Sequence, residues 1–286
     1  MLRYRLIFGA LMIVVFVGLV LLDGYLDGSL SGEAGPVQGT ILCVLVALLA
    51  VPAQLEMAAL VGRGGAKLFV PVAVLGSVLW ATSGYWPQFS ARPAVFALIY
   101  LQAVAVGILV LIWLCQAVRY GTERAIANIA ANYFSIVYLG LLSSFVVGIR
   151  LRWGPWALLM FIFTVKLADT GAYFTGRWLG RHPFSPRISP KKTWEGLAGA
   201  IVAGAVTGAA FAGACGIMTW TVGAGFGALF GVLGQYGDLA ESMMKRDARI
   251  KDSAAYVPGF GGVLDVIDSP LATAPPAWLF FYLVCH

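Results

Sequence analysis

Charge is what this chain has least of. Only 11% of its 286 residues are Asp, Glu, Lys or Arg, against roughly 25% in a soluble domain; 60% are hydrophobic and the mean hydropathy is +0.87. That shortage excludes a soluble protein with a solvated surface. Cysteine is sparse too. Cys43, Cys115, Cys215 and Cys285 stand singly in apolar segments with no CxxC spacing, so no disulfide framework or zinc site is indicated and four packed free thiols are expected. No small-x-small cleavage site follows Leu22, so the first apolar stretch is expected to be a retained helix rather than a removed leader. Nor do the apolar segments alternate polar and apolar residues as membrane-barrel strands would.

What is present in quantity is long apolar sequence. Stretches of the roughly 20 residues needed to cross a bilayer fall near 4–22, 39–61, 67–86, 94–115, 126–149, 155–176, 196–217, 220–240 and 263–285. The expected fold is therefore all-α, a polytopic integral membrane helical bundle of about nine transmembrane helices. With a cytoplasmic N-terminus, fifteen of the nineteen Lys and Arg residues lie on the cytoplasmic side. Only Arg92, Arg150 and Arg152 lie opposite, and Lys166 falls within a helix. This is a strong positive-inside bias. The net charge of +6 records that topology, and anionic lipid or nucleotide, rather than nucleic-acid binding.

The polar residues are unevenly spread. Residues 1–150 carry apolar helices with few distinctive polar groups and no legible chemistry; they are expected to supply packing, a lipid groove and contacts for a homodimer. Residues 151–286 are expected to form the catalytic region. There Gly204-x-x-x-Gly208 and Gly223-x-x-x-Gly227-x-x-x-Gly231 put small residues on one helix face, which favours close helix packing over a ligand role. Lys166 and Asp169 share a helix face at i, i+3, either as a buried ion pair or as the lining of a polar cavity. Ser189-Pro190-Lys191-Lys192-Thr193 is a turn that places two ammonium groups and two hydroxyls just before a helix, an arrangement suited to polyphosphate.

Gly237–Ser269 is the densest segment. It packs ten formal charges, including six of the thirteen acidic residues, into a hydrophobic chain. Asp265 and Asp268 lie i, i+3 at the start of the last helix, and Asp238 ends the preceding one on the same side. Three carboxylates from adjacent helices suit one or two Mg²⁺ ions, which usually also bind substrate phosphates. Between them, Pro258-Gly259-Phe260-Gly261-Gly262 lets backbone approach a ligand closely and offers free amides.

At these residues the chain resembles the CDP-diacylglycerol synthases (phosphatidate cytidylyltransferases), polytopic enzymes that condense CTP with phosphatidic acid. Their signature reads Ser-x-x-Lys-Arg, four residues, Lys-Asp, then Pro-x-His-Gly-Gly-x-x-Asp-Arg-x-Asp. Ser242, Lys245, Arg246, Lys251, Asp252, Pro258, Gly261, Gly262, Asp265 and Asp268 match it at the right spacing. The likeness is firm over residues 166–269 and elsewhere rests on hydropathy. Phe260 and Val266 depart from the pattern, standing where the family has His and Arg.

The resemblance implies a nucleotidyltransferase of phospholipid biosynthesis in the bacterial inner membrane, its active site facing the cytoplasm. It implies Ser242, Lys245, Arg246, Lys251 and Asp252 as catalytic residues. Lys191, Lys192, Ser189, Thr193, Asp169, Gly261 and Gly262 would bind substrate phosphates, and Asp238, Asp265 and Asp268 would hold Mg²⁺ or a pair of metal ions. Two alternatives stay open. One is a related lipid-head-group enzyme, a polyprenol kinase or another CDP-lipid synthase. The other is an ion-coupled transporter, disfavoured because the ionisable groups gather at one interface and the two halves look unlike.

Overall fold

The computed structural model describes residues 2–250, 253 and 261–285, with side chains from residue 8 onward. Among them the secondary structure is helical, apart from an isolated antiparallel bridge between Pro183 and Thr193 and a bridge position at Gly261. The helices are α1 (Leu2–Leu26), α2 (Thr40–Arg63), α3 (Val70–Ala81), α4 (Pro93–Arg119), α5 (Ala125–Ile136), α6 (Leu142–Leu179), α7 (Trp194–Cys215), α8 (Trp220–Asp247) and α9 (Val263–Val284). A single π-helical turn, Val137–Leu141, joins α5 to α6. Five helical segments are long and apolar enough to cross a membrane: Phe8–Leu26, Thr40–Arg63, Pro93–Arg119, Ala125–Leu179 and Trp194–Cys215. The chain is a polytopic helical membrane protein.

Four expected spans take a different form. The segment expected over 67–86 yields α3, whose 12 residues reach about 18 Å and fall short of a bilayer's hydrocarbon thickness. Pro71 opens α3, and Thr82 closes it by donating its hydroxyl back to the Val78 carbonyl at 2.8 Å. The segments expected over 126–149 and 155–176 are continuous in the helix ladder. They are separated by Gly154, whose φ of 83° no L side chain adopts easily, followed by Pro155. Helix α8 runs beyond its expected end at 240 to Asp247, carrying its charged residues as further helical turns.

The chain forms two compact units, Met1–Leu151 with Asp247–Val266, and Arg152–Arg246 with Ile267–His286. The segment 247–266 thus belongs with the N-terminal half. In the first unit, buried polar side chains pin helix ends. Asn128 and Asn132 accept from the Lys67 and Phe69 amides at 2.8 and 2.7 Å, fixing the start of α3. Arg150, expected as a loop charge, is completely buried and pairs with Asp23 at 3.0 Å and Asp27 at 2.7 Å. Asp23 in turn accepts from the Ile41 amide in the first turn of α2. Partial burial alone would raise the Asp27 carboxyl; hydrogen bonds from Ser29 and Gly39 and the Arg150 guanidinium outweigh it and hold the group below its ordinary value.

In the second unit glycine sets the packing. A methyl group at Gly204 would strike the Gly227 carbonyl, and one at Gly208 the Gly223 carbonyl, so the two stripes bring α7 and α8 into backbone contact. Gly171 meets Gly199 and Ala203, joining α6 to α7, and Gly237 meets Ser269 and Ala272, joining α8 to α9. Phe226, Phe230 and Phe281 fill the core beside them. All four cysteines are free thiols.

Candidate functional site

The close approach of α8 to α9 at Gly237 decides where the charges of the second unit go. Asp238 and Glu241 stand on α8 and Asp268 on α9. One carboxylate oxygen from each lies within 4.8 Å of the others. Two unit charges about 5 Å apart repel by about 3 kcal/mol at an effective dielectric of about 20, so such a trio requires nearby cations. Each carboxylate has its own lysine. Lys192 Nζ lies 2.8 Å from Asp238, Lys245 Nζ 2.5 Å from Glu241 and Lys166 Nζ 3.9 Å from Asp268. Lys166 stands equally far, 3.9 Å, from Asp169, which also accepts from Gln235 Nε2 at 2.9 Å.

The basic loop enters this cluster through Lys192. Its ammonium donates to the Gln235 carbonyl as well as to Asp238. The loop is held by Glu195, which accepts from the Arg181 and His182 amides and lies 2.6 Å from His182 Nδ1. Thr193 caps α7 by accepting from the Gly196 amide. Ser189 accepts at its carbonyl from the Lys192 amide, closing the turn, and Lys191 is exposed beside it. On α8, Ser242 donates to Asp238 at 3.3 Å, and Arg246 reaches the Ile188 carbonyl at 3.3 Å.

Asp265 lies in the other unit. Its Oδ2 accepts from the Ser253 amide and hydroxyl at 3.2 and 2.9 Å and from the Gly262 amide at 2.7 Å. Gly261 takes a φ of 91° there, open to glycine and strained for other residues. Lys251 and Asp252 lie outside the described residues, as does Phe260.

Sequence inspection singled out Asp238, Asp268, Lys192, Lys245 and Ser242, which the second unit brings together. It passed over two participants, Glu241 and Gln235, and a buried acid of the first unit. Glu241 stands i, i+3 from Asp238, the same spacing that marked Asp265 and Asp268, so its signal was present. Gln235 carried none. Glu56, in the half without legible chemistry, accepts from the Val263 and Leu264 amides in the first unit; a lone acid in an apolar span, it carried a signal that intramembrane charge should have raised.

The sequence has counterparts among known proteins. A model of the Cytidylyltransferase family matches residues 3–284. The phosphatidate cytidylyltransferase of Mycobacterium bovis is 37% identical over 166 residues, covering 56% of this chain and 52% of that one. The protein of the same name from Synechocystis sp. is 37% identical over 188 residues, covering 56% and 64%. That of Haemophilus influenzae is 40% identical over 134 residues, covering 44% and 45%. The chain spans about half the length of the mycobacterial and Haemophilus relatives it matches and less than two thirds of the cyanobacterial one.

Proposed function

The chain belongs to the cytidylyltransferase family, and on that premise we propose that it is a phosphatidate cytidylyltransferase, converting CTP and phosphatidate to CDP-diacylglycerol and diphosphate. The observation that carries the proposal is the lysine-matched carboxylate trio of Asp238, Glu241 and Asp268 at the α8–α9 contact. It is supported by the matched signature around it.

The donor set fits a hard divalent cation, since all three groups offer carboxylate oxygen and none offers sulfur or imidazole. Asp238, Glu241 and Asp268 would hold Mg²⁺, with Asp265 a further candidate on its spacing one turn before Asp268. When bound, the ion neutralises phosphate charge and polarises the phosphoryl oxygens.

The chain's own residues do the rest. A phosphatidate oxygen attacks the α-phosphorus of CTP, the α–β bridging bond breaks, and diphosphate departs with its electron pair. The nucleophile is already an anion at neutral pH, so no general base is required. Lys192, Lys245 and Lys166, each now neutralising a carboxylate, exchange that partner for a phosphate oxygen as negative charge gathers. Lys191 and Arg246 add cations from the loop and the end of α8. Ser189 and Thr193 shape the loop that carries Lys192, Asp169 and Gln235 hold Lys166 and Lys192, and Gly261 and Gly262 are assigned to phosphate binding by their signature positions alone. Ser242 steadies Asp238. Lys251 and Asp252 are assigned by their signature positions alone.

The active site is proposed to face the cytoplasm of a bacterial inner membrane, supported by the positive-inside bias. A cysteine at Ser185 should react only with reagents admitted to the cytoplasm; labelling from outside sealed cells would reverse the topology. Pairing of two copies through the N-terminal helices is testable by cross-linking in native membranes. The decisive experiment incubates purified protein with labelled CTP, Mg²⁺ and phosphatidate. Labelled CDP-diacylglycerol is the expected product. Label transferred only to a polyprenol, or none to any lipid, would refute the proposal.

A further inference from the structure

The residue just before helix α9 offers no side chain to cap it. The first N–H groups of a helix have no intrahelical partner, and a Ser, Thr, Asp or Asn side chain just before the helix usually receives one. Here that position is Gly262, which has no side chain. The partner comes from 207 residues earlier. Glu56, on α2 and 2% exposed, accepts from the Val263 amide at 2.7 Å through Oε1, and from the Leu264 amide at 3.0 Å and the Ser253 hydroxyl at 2.7 Å through Oε2. A side chain at residue 262 would run into the Glu56 carboxylate and the Ser253 hydroxyl, so the glycine and the distant acid are complementary. Ser253 also donates to Asp265, which links the capping carboxylate to the first carboxylate of α9.

A carboxylate inside an apolar, membrane-crossing helix is costly to keep. Its negative charge at a helix N-terminus is favourable, yet that contribution is available to any ordinary capping residue in the loop. What a loop residue cannot do is tie α9 to a rigid helix. We propose that Glu56 is a positioning residue: by gripping the first turn of α9 and, through the Ser253 hydroxyl, the Asp265 carboxylate, it fixes the placement of Asp265 for a divalent cation. This rests on the cytidylyltransferase proposal for its catalytic consequence, but not for its structural one.

The test compares Glu56→Gln with wild type in detergent, using Mn²⁺ as the probe. The amide keeps the size of the side chain but turns a donor toward the Leu264 N–H. The expected result is faster hydrogen exchange at Val263 and Leu264, at least about a tenfold loss of Mn²⁺ affinity, and a matching fall in kcat with KM for CTP little changed. Asn132→Ala is the control. It removes a buried hydrogen bond in the same unit and should lower stability without moving the Mn²⁺ titration. If Glu56→Gln only lowers stability, with wild-type Mn²⁺ affinity, Glu56 is a structural cap and the proposal is overturned. Should that variant fail to insert, Ser253→Ala loses one hydrogen bond and no charge and carries the same titration; an unchanged Mn²⁺ midpoint there overturns it equally. A wild type without cytidylyl transfer would refute the function, while the exchange and Mn²⁺ data would still decide the role of Glu56.

Discussion

The two units bury polar groups in comparable surroundings but satisfy them differently. In the first unit, carboxylates face backbone amides: Asp23 the Ile41 amide, Asp27 those of Ser29 and Gly39, Glu56 those of Val263 and Leu264. Amides belong to the fold and cannot leave. Among the described residues of that unit, the cation paired with carboxylates is Arg150, fully buried between Asp23 and Asp27. In the second unit, the carboxylates of the Asp238, Glu241 and Asp268 trio face ammonium groups on long side chains, at 2.5 to 3.9 Å. Such chains have rotamer freedom and can trade a carboxylate for a phosphate. Buried charge in a membrane protein is a structural pin when its partner is backbone, and chemistry when its partner can move.

The sharpest way to break that contrast is to remove a carboxylate from the second unit. Asp268→Asn, Asp238→Asn and Asp265→Asn should each insert and fold yet lose about 10² or more in turnover. Retention of half the wild-type rate at saturating Mg²⁺ would remove that residue from the metal set. Next in size is Gly227→Leu, which drives a side chain into the Gly204 backbone. It should cost roughly 3 kcal/mol, the upper end of the range for overpacking, read as a lowered midpoint of thermal unfolding in detergent.

Asn132→Ala probes a pin of the first unit. It strands the Phe69 amide and the Lys67 carbonyl, and should cost about 2 kcal/mol of stability while leaving kcat unchanged. A fall in kcat would erase the distinction between the units. The smallest effect concerns Asp27. Its folded pKa is lowered, so the stability it contributes is fully present above its ordinary value of 3.8 and is lost as pH falls through the folded value. The difference in melting temperature between wild type and Asp27→Asn should be constant from pH 7 to about 5 and shrink in stronger acid.

Much of this was legible from composition and pattern. Hydropathy locates apolar helices without any tertiary knowledge, because the bilayer imposes a length rule on each segment separately. The glycine stripes predicted close packing because a missing Cβ acts wherever the helix lies. The signature picked out Lys245 and Asp268, and Asp238 was marked by its place at the end of the preceding apolar segment, on the same side. Other features depend on partners far along the chain. That α3 stops short, that Arg150 is buried between two aspartates, that Glu241 and Gln235 join the charge cluster, and that Glu56 caps α9 from 207 residues away were settled by packing. Local sequence fixes what a helix is and which face it offers; only the tertiary structure decides which charge on one face meets which group on another.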